Sequence, residues 1–258
     1  MTDERKKTVE VSVNDGVRTL TLDRPPVNVM DLPMIEELAA RIDEAGRDPA
    51  TRVLVFRARG KAFSAGVEVG DHTPDKAPAM IAGFTRMFQA MLEASVPTVA
   101  VVEGAALGGG AELALFCDLV LMGPKASFGV PEITLGFFPP IAAAVLPRRI
   151  PRAVAMELML TGDRIDAARA HAVGLANAVL PAEGTEEAIG AFVGRVARWS
   201  GSVLRLAVRA ADQTDGMPVP LALRHAGTIF LADLMRTQDV REGLASFFEK
   251  RKPVWKDQ

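Results

Sequence analysis

The sequence predicts an α/β fold built on a mostly parallel sheet and finished by a helical tail. Three observations carry this reading. Short apolar runs alternate with stretches of helical periodicity, as expected for strands joined by right-handed helical crossovers. The runs "RVLVFRA", "PTVAVV" and "DLVLM" are almost continuously apolar, as strands buried on both faces are. The 258 residues are 49% hydrophobic and 24% charged, a globular balance with enough chain for one sizeable core.

Taken in order, "VEVSVNDGVRTLTLDR" places β-branched residues on either side of Asn14-Asp15-Gly16, a hairpin pattern. A helix is expected from Pro33 to about Arg47, with Ile35, Leu38, Ala39 and Ile42 on one face. A strand follows at "RVLVFRA", and Lys61 to Gly70 reads as a strand ending in a loop. Next come a helix over Pro78–Ala94, the strand "PTVAVV", a glycine run opening a helix, and the strand "DLVLM". Beyond Pro139 the chain is mostly helical, with one short strand at "LANAVL". In the tail, Pro218–Met235 repeats apolar residues at helical spacing. Asp239 with Glu242 resembles a capping box opening "DVREGLASFFEKR", whose apolar face is Val240, Leu244, Phe247 and Phe248. The expected organisation is a core over residues 1–200 that carries the site and a helical region over 201–258.

Net charge is −2, with 30 Lys and Arg against 32 Asp and Glu, which gives no basis for a nucleic-acid or membrane partner. The region Val96–Met122 holds Glu103, Glu112 and Asp118, so it reads as protein core and not as a membrane span. The charged opening "MTDERKKTVE" carries no secretory signal, and the single Cys117 has no partner for a disulfide; both point to the cytoplasm.

The chemistry concentrates in "ALGGGAELALFCD". Gly108, Gly109 and Gly110 weaken a helix, and Glu112 is costly to bury among Ala111, Leu113 and Ala114. Glycines let the backbone approach a ligand, and a helix starting there aims free N–H groups and a positive dipole end at it. A tight packing turn explains one or two of these glycines but not the carboxylate. Neither G-x-G-x-x-G nor a P-loop pattern occurs, so a nucleotide site is not expected.

A second carboxylate, Glu132, lies in the apolar "SFGVPEITLGF". Partly desolvated carboxyls shift toward neutral pH, where proton transfer needs them. A lone glutamate is more often a solvated or paired side chain, but two in such settings beside an anion site favour an acid/base pair. In "KAFSAGVEVGDH", Ala65-Gly66-Val67 offers a further strand end, so Val67 and Gly109 together supply two N–H donors for one developing oxyanion.

Ser64, Asp71 and His72 raise a hydrolase triad, but no nucleophile elbow is present. His72 is expected to face water in preference to lining a pocket, and His171 and His225 read as structural without partners. The histidines and Cys117 have no metal-site spacing, and Cys117 reads as an inert buried thiol.

At "LDRPPVNVM", "KAFSAGVEV", "VPTVAVVEGAALGGGAELALFCD", "SFGVPEITLG", "AMELMLTGDRIDAARAHAVGLANAV" and "FFEKRKPVW" the chain closely resembles the crotonase superfamily, the enoyl-CoA hydratases and isomerases. The segments stand in family order from about Thr19 to Trp255. The resemblance implies a spiral of ββα repeats with a C-terminal helical trimerisation region, assembled as a homotrimer or as a homohexamer that is a dimer of trimers. It implies an acyl-CoA substrate, no separate cofactor and no metal, since coenzyme A is part of the substrate. The thioester oxygen would lie between Val67 N–H and Gly109 N–H. Glu112 and Glu132 would hold one water, Glu112 assisting its attack and Glu132 exchanging the proton next to the carbonyl. Ala65, Gly66, Leu107 and Gly108 would line the acyl-CoA path, Val27 and Val29 the adenine and pantetheine. Phe247 and Lys250 would touch the CoA, often from a neighbouring subunit; read alone they are equally core packing and a solvated helix face.

Both glutamates favour hydration over the isomerase and thioester-hydrolase chemistries of single-glutamate relatives. They also speak against a non-catalytic binding subunit. Where the family often carries a glycine-rich loop, this chain reads "GFFPPIAAAV", with Phe137, Phe138, Pro139 and Pro140 supplying bulk and stiffness. With "SAGVEVGDHTPD", that loop most resembles the family's cyclic dienoyl-CoA hydratases.

Overall fold

The structure, a computed structural model, describes residues 7–258. The charged opening falls largely on residues 1–6, outside the described residues. Strands β1 (Val9–Asn14) and β2 (Val17–Leu22) form the expected hairpin. Asp15 at φ 43° and Gly16 at φ 77° make the left-handed turn whose twist matches a two-residue hairpin. Helix α1 (Leu32–Arg47) follows, its first turn capped by the Asp31 carboxylate accepting from Met34 N–H.

Three turns of one motif then follow. Strands β3 (Val53–Ala58) and β4 (Ala62–Ser64) lead to helix α2 (Ala77–Ala94). Strands β5 (Thr98–Val102) and β6 (Ala105–Leu107) lead to helix α3 (Gly109–Phe116). Strands β7 (Leu119–Met122) and β8 (Ser127–Gly129) lead through a short 3-10 turn, Pro131–Leu135, to helix α4 (Pro140–Arg149). Helix α5 (Arg152–Thr161), strand β9 (Arg164–Asp166), helix α6 (Ala167–Ala172), strand β10 (Ala178–Val179) and helix α7 (Thr185–Ala197) complete the spiral.

The first strand of each repeat joins a six-stranded sheet ordered β1-β2-β3-β5-β7-β10, and the second joins a four-stranded sheet ordered β4-β6-β8-β9. Where a single parallel sheet was the simplest expectation, the chain alternates between two. Parallel pairing holds throughout except at the hairpin and at β9. The central strands of the large sheet, β3, β5 and β7, are largely buried, whereas the edge strand β1 is mostly exposed. Leu54 and Phe56 of β3 face the main core with α1 and α2, while Val53 and Val55 face Ile189 and Val193 of α7.

The tail comprises α8 (Gly201–Thr214), α9 (Val219–Ala232) and α10 (Gln238–Phe248). Arg205 of α8 ties it down by donating to the carbonyls of Ala45, Gly46, Asp48, Thr51 and Ala94. The helix expected to reach Met235 stops at Ala232 and passes into a 3-10 turn, Leu234–Arg236. The capping residue of α10 is Thr237, accepting from Val240 N–H, and not Asp239. Asp239 is buried and accepts from Lys256 and Asp257 N–H, and Glu242 pairs with Arg251, so the last residues draw both side chains away from the helix start. Among the described residues no helix is long and apolar enough to cross a membrane.

Candidate active site

The glycine run sits where β6 of the small sheet turns into α3. Gly108 takes φ 52°, ψ −129°, a backbone shape that disfavours any side chain. A Cβ on Gly110 would lie 2.5 Å from Ser64 Cβ and 2.7 Å from Ser64 O, so only glycine lets α3 lie this close to β4. A Cβ on Gly109 would stand 2.6 Å from Val67 Cγ2 and 3.3 Å from Val67 N, which puts the two expected amide donors side by side. Among the described residues neither Val67 N–H nor Gly109 N–H donates to another group.

The 65–68 segment is braced from outside. Ala65 N–H donates to Val27 O, Met30 N–H to Gly66 O, and Glu68 N–H to Met30 O. Asn28 at φ 53° anchors that bracing loop through Arg59 O and Ala62 O. Ser64 Oγ is spent in the same scaffold, donating to Asn28 O and accepting from Gly66 N–H, which removes the triad reading.

These elements enclose a cavity of about 470 Å³ that brings together Ala65, Gly66, Val67, Gly108, Gly109, Glu112 and Glu132. Val27, Val29, Leu107, Phe247 and Lys250 do not line it. Val27 and Val29 lie on the bracing loop, and Phe247 is 77% exposed on the tail. His72, expected to face water, lines the cavity instead: its ring packs on Phe137 with centroids 5.2 Å apart. That contact joins two distant segments and leaves no mark in the local sequence around His72. His171 and His225, read as unpartnered, bond to Ala176 O and Gln213 Oε1.

Glu112, in the first turn of α3, is 2% exposed. Its Oε1 accepts from Ile141 N–H at 2.8 Å and Ala142 N–H at 2.9 Å, donors at the start of α4. Burial dominates over those bonds and pushes its pKa up to about 8. Glu132, on the 3-10 turn, is also raised by burial, opposed by a backbone hydrogen bond and by the nearby His72. Its Oε2 is buried without a hydrogen-bond partner. Two carboxyls held toward neutral pH, one with an unspent oxygen, face one cavity beside two free amides. Such a site can move a proton and hold a developing oxyanion. Cys117 stays outside it, buried and pushed toward the thiol form. Among the described residues no cluster of side chains suits a metal ion.

Residues 12–258 match the family described as enoyl-CoA hydratase/isomerase. The chain belongs to the enoyl-CoA hydratase/isomerase family. It is similar to the cyclohexa-1,5-dienecarbonyl-CoA hydratase of Thauera aromatica, 37% identical over 92% of each chain. It is also similar to the 2,3-dehydroadipyl-CoA hydratase of Escherichia coli, 32% identical over 95% of this chain and 97% of that one. Among solved structures, an enoyl-CoA hydratase from Bacillus anthracis superposes with a TM-score of 0.91 at 29% identity, covering 97% of this chain and all of the other. The crotonase-type spiral is therefore the fold of this family member.

Proposed function

We propose that the protein hydrates an α,β-unsaturated acyl-CoA thioester. The observation that carries this is the convergence of Val67 N–H, Gly109 N–H, Glu112 and Glu132 on one cavity. The thioester oxygen accepts from the two amides, so charge driven onto it by attack at the β-carbon meets donors already in place. Glu112, its Oε1 held by two amides, orients the water with its other oxygen and, in the carboxylate form that gains as pH rises toward about 8, draws off a proton as the C–O bond forms. Glu132, kept toward its protonated form by burial, delivers a proton to the α-carbon. One proton enters the pair from water and one leaves to carbon, so the pair ends with the protons it began with. CoA arrives with the substrate, and the reading requires no other cofactor. Val27 and Val29, next to the site, are the proposed CoA contacts within the chain. Phe247 and Lys250, outside this cavity's lining, would serve a neighbouring subunit's CoA in a trimer or hexamer.

A cyclic dienoyl substrate is the favoured acyl class. Phe84, Met80, Ile81, Phe137 and Phe138 give the cavity a broad apolar wall, and the Thauera relative is named for such a substrate. Mixing the protein with crotonyl-CoA and with a cyclic dienoyl-CoA, while following the ultraviolet band of the conjugated thioester, tests both readings. Hydration bleaches the band, and Glu132→Gln should slow it by about 10²–10⁴-fold. No bleaching with any enoyl-CoA would leave a binding subunit; isomerisation surviving Glu132→Gln without hydration would favour an isomerase.

A further inference from the structure

The cavity opens to solvent between two segments. Val69, Ile81, Leu135 and Phe138 all line it and all are exposed, so the stretches 69–81 and 135–138 form an apolar mouth. At that mouth the rings of His72 and Phe137 meet, with centroids 5.2 Å apart and planes inclined at 42°. Each ring is fastened to a different part of the site. His72 Nδ1 donates to Glu68 O at 3.0 Å, since a carbonyl oxygen only accepts, and Glu68 N–H is tied to Met30 O next to the Val67 amide. Phe137 N–H donates to Glu132 O at 3.1 Å, and Gly136 at φ 79° makes the turn between them. The contact therefore joins the segment that carries the Val67 donor to the turn that carries Glu132.

We propose that the His72–Phe137 contact is a specificity-determining clasp: it closes the mouth of the cavity, so that compact acyl groups are held inside and long straight chains, which would have to leave through that mouth, are refused. The proposal rests on the reading of the cavity as an acyl-CoA site, but it concerns binding and not the hydration step. An acyl group whose thioester oxygen lies at Val67 and Gly109, with its double bond beside the two acids, has only the apolar remainder of the cavity for its tail. Within the cavity's 470 Å³ that remainder is bounded by Met80 and Phe84 of α2 on one side and by Phe137 on the other. A longer tail must part the two rings and forfeit their contact. The obstacle is steric and needs no charge on His72. Once the rings are trimmed, the exposed Val69, Ile81, Leu135 and Phe138 offer apolar surface for an emerging chain to cover.

Calorimetric titration with butyryl-CoA and decanoyl-CoA, saturated thioesters that cannot be hydrated, reads the clasp without turnover. The wild type should bind butyryl-CoA more tightly than decanoyl-CoA. His72→Ala and Phe137→Ala should each raise the affinity for decanoyl-CoA relative to butyryl-CoA by about 10-fold or more, and kcat/KM for the matching enoyl-CoAs should follow. Because each substitution breaks the same contact, the double variant should fall well short of the product of the two single effects. His72→Asn and Phe137→Val serve if an alanine variant loses cooperative melting. Relative affinities that neither single variant moves, or a wild type that already prefers decanoyl-CoA, would overturn the proposal with hydration intact. A relative affinity that moves while no enoyl-CoA is hydrated would instead overturn the hydratase reading and leave the clasp standing. Failure of wild type and variants alike to bind either thioester would overturn both.

Discussion

Replacing Gly109 by alanine is the sharpest perturbation of the proposed oxyanion site, because its consequence can be worked from distances. The new methyl carbon would start 2.6 Å from Val67 Cγ2 and 3.1 Å from Phe84 Cζ. Carbon pairs rest at about 3.5–4.0 Å, so the α3 start and the 65–68 segment must separate by roughly 1 Å. An N–H···O bond of about 2.9 Å does not survive that displacement, so one oxygen can no longer accept from both Val67 and Gly109. Loss of one such donor lowers kcat by about 10²–10³-fold, or about 3–4 kcal/mol of transition-state stabilisation. Overpacking should also lower stability by about 1–3 kcal/mol, which leaves the variant folded and measurable. The assay is initial-rate bleaching of an enoyl-CoA, paired with urea unfolding. Gly194→Ala on α7, where a Cβ meets nothing within 4 Å, is the control and should leave the rate unchanged. A folded Gly109→Ala protein with a rate within threefold of wild type would refute the two-amide site.

Glu112 binds a proton in the folded state up to about pH 8, whereas an unfolded glutamate releases it near its ordinary value, so the folded state holds more protons in between. Wild-type stability should therefore fall as pH rises through that window, and Glu112→Gln, whose amide oxygen can still accept from Ile141 and Ala142, should flatten the curve in urea melts while abolishing hydration. Glu112→Ala should instead cost about 1–3 kcal/mol by orphaning those two donors. Arg205→Met strips five carbonyls of their donor and should cost about 2–4 kcal/mol in calorimetry, with the tail more exposed to protease than in Arg205→Lys.

Much of the candidate site's geometry was legible locally. Glu112 and Glu132 stood out as carboxyls within apolar runs, and the glycines announced a close approach before any partner was known. Gly110 against Ser64 is the tight packing that accounts for one of those glycines without any ligand. The hairpin was legible because Asp15 and Gly16 adopt the backbone their residue types favour. The small sheet was harder: β4, β6, β8 and β9 are three residues each, too short to display a period. His72 was misjudged because Phe137, which holds its ring, lies in a segment that only the spiral brings near. The α10 cap failed for the same kind of reason, since Asp239 and Glu242 fit a local rule but are recruited by the chain's last residues.

The position of Arg205 has a consequence for the order in which the molecule can mature on the ribosome. The carbonyls it gathers belong to the end of α1, the loop before β3 and the end of α2, all synthesised long before α8. Until α8 is made, those carbonyl oxygens have no arginine donor. Only when the late arginine emerges do the ends of α1 and α2 gain their common tie, so a chain cut short before α8 lacks the side chain that joins them.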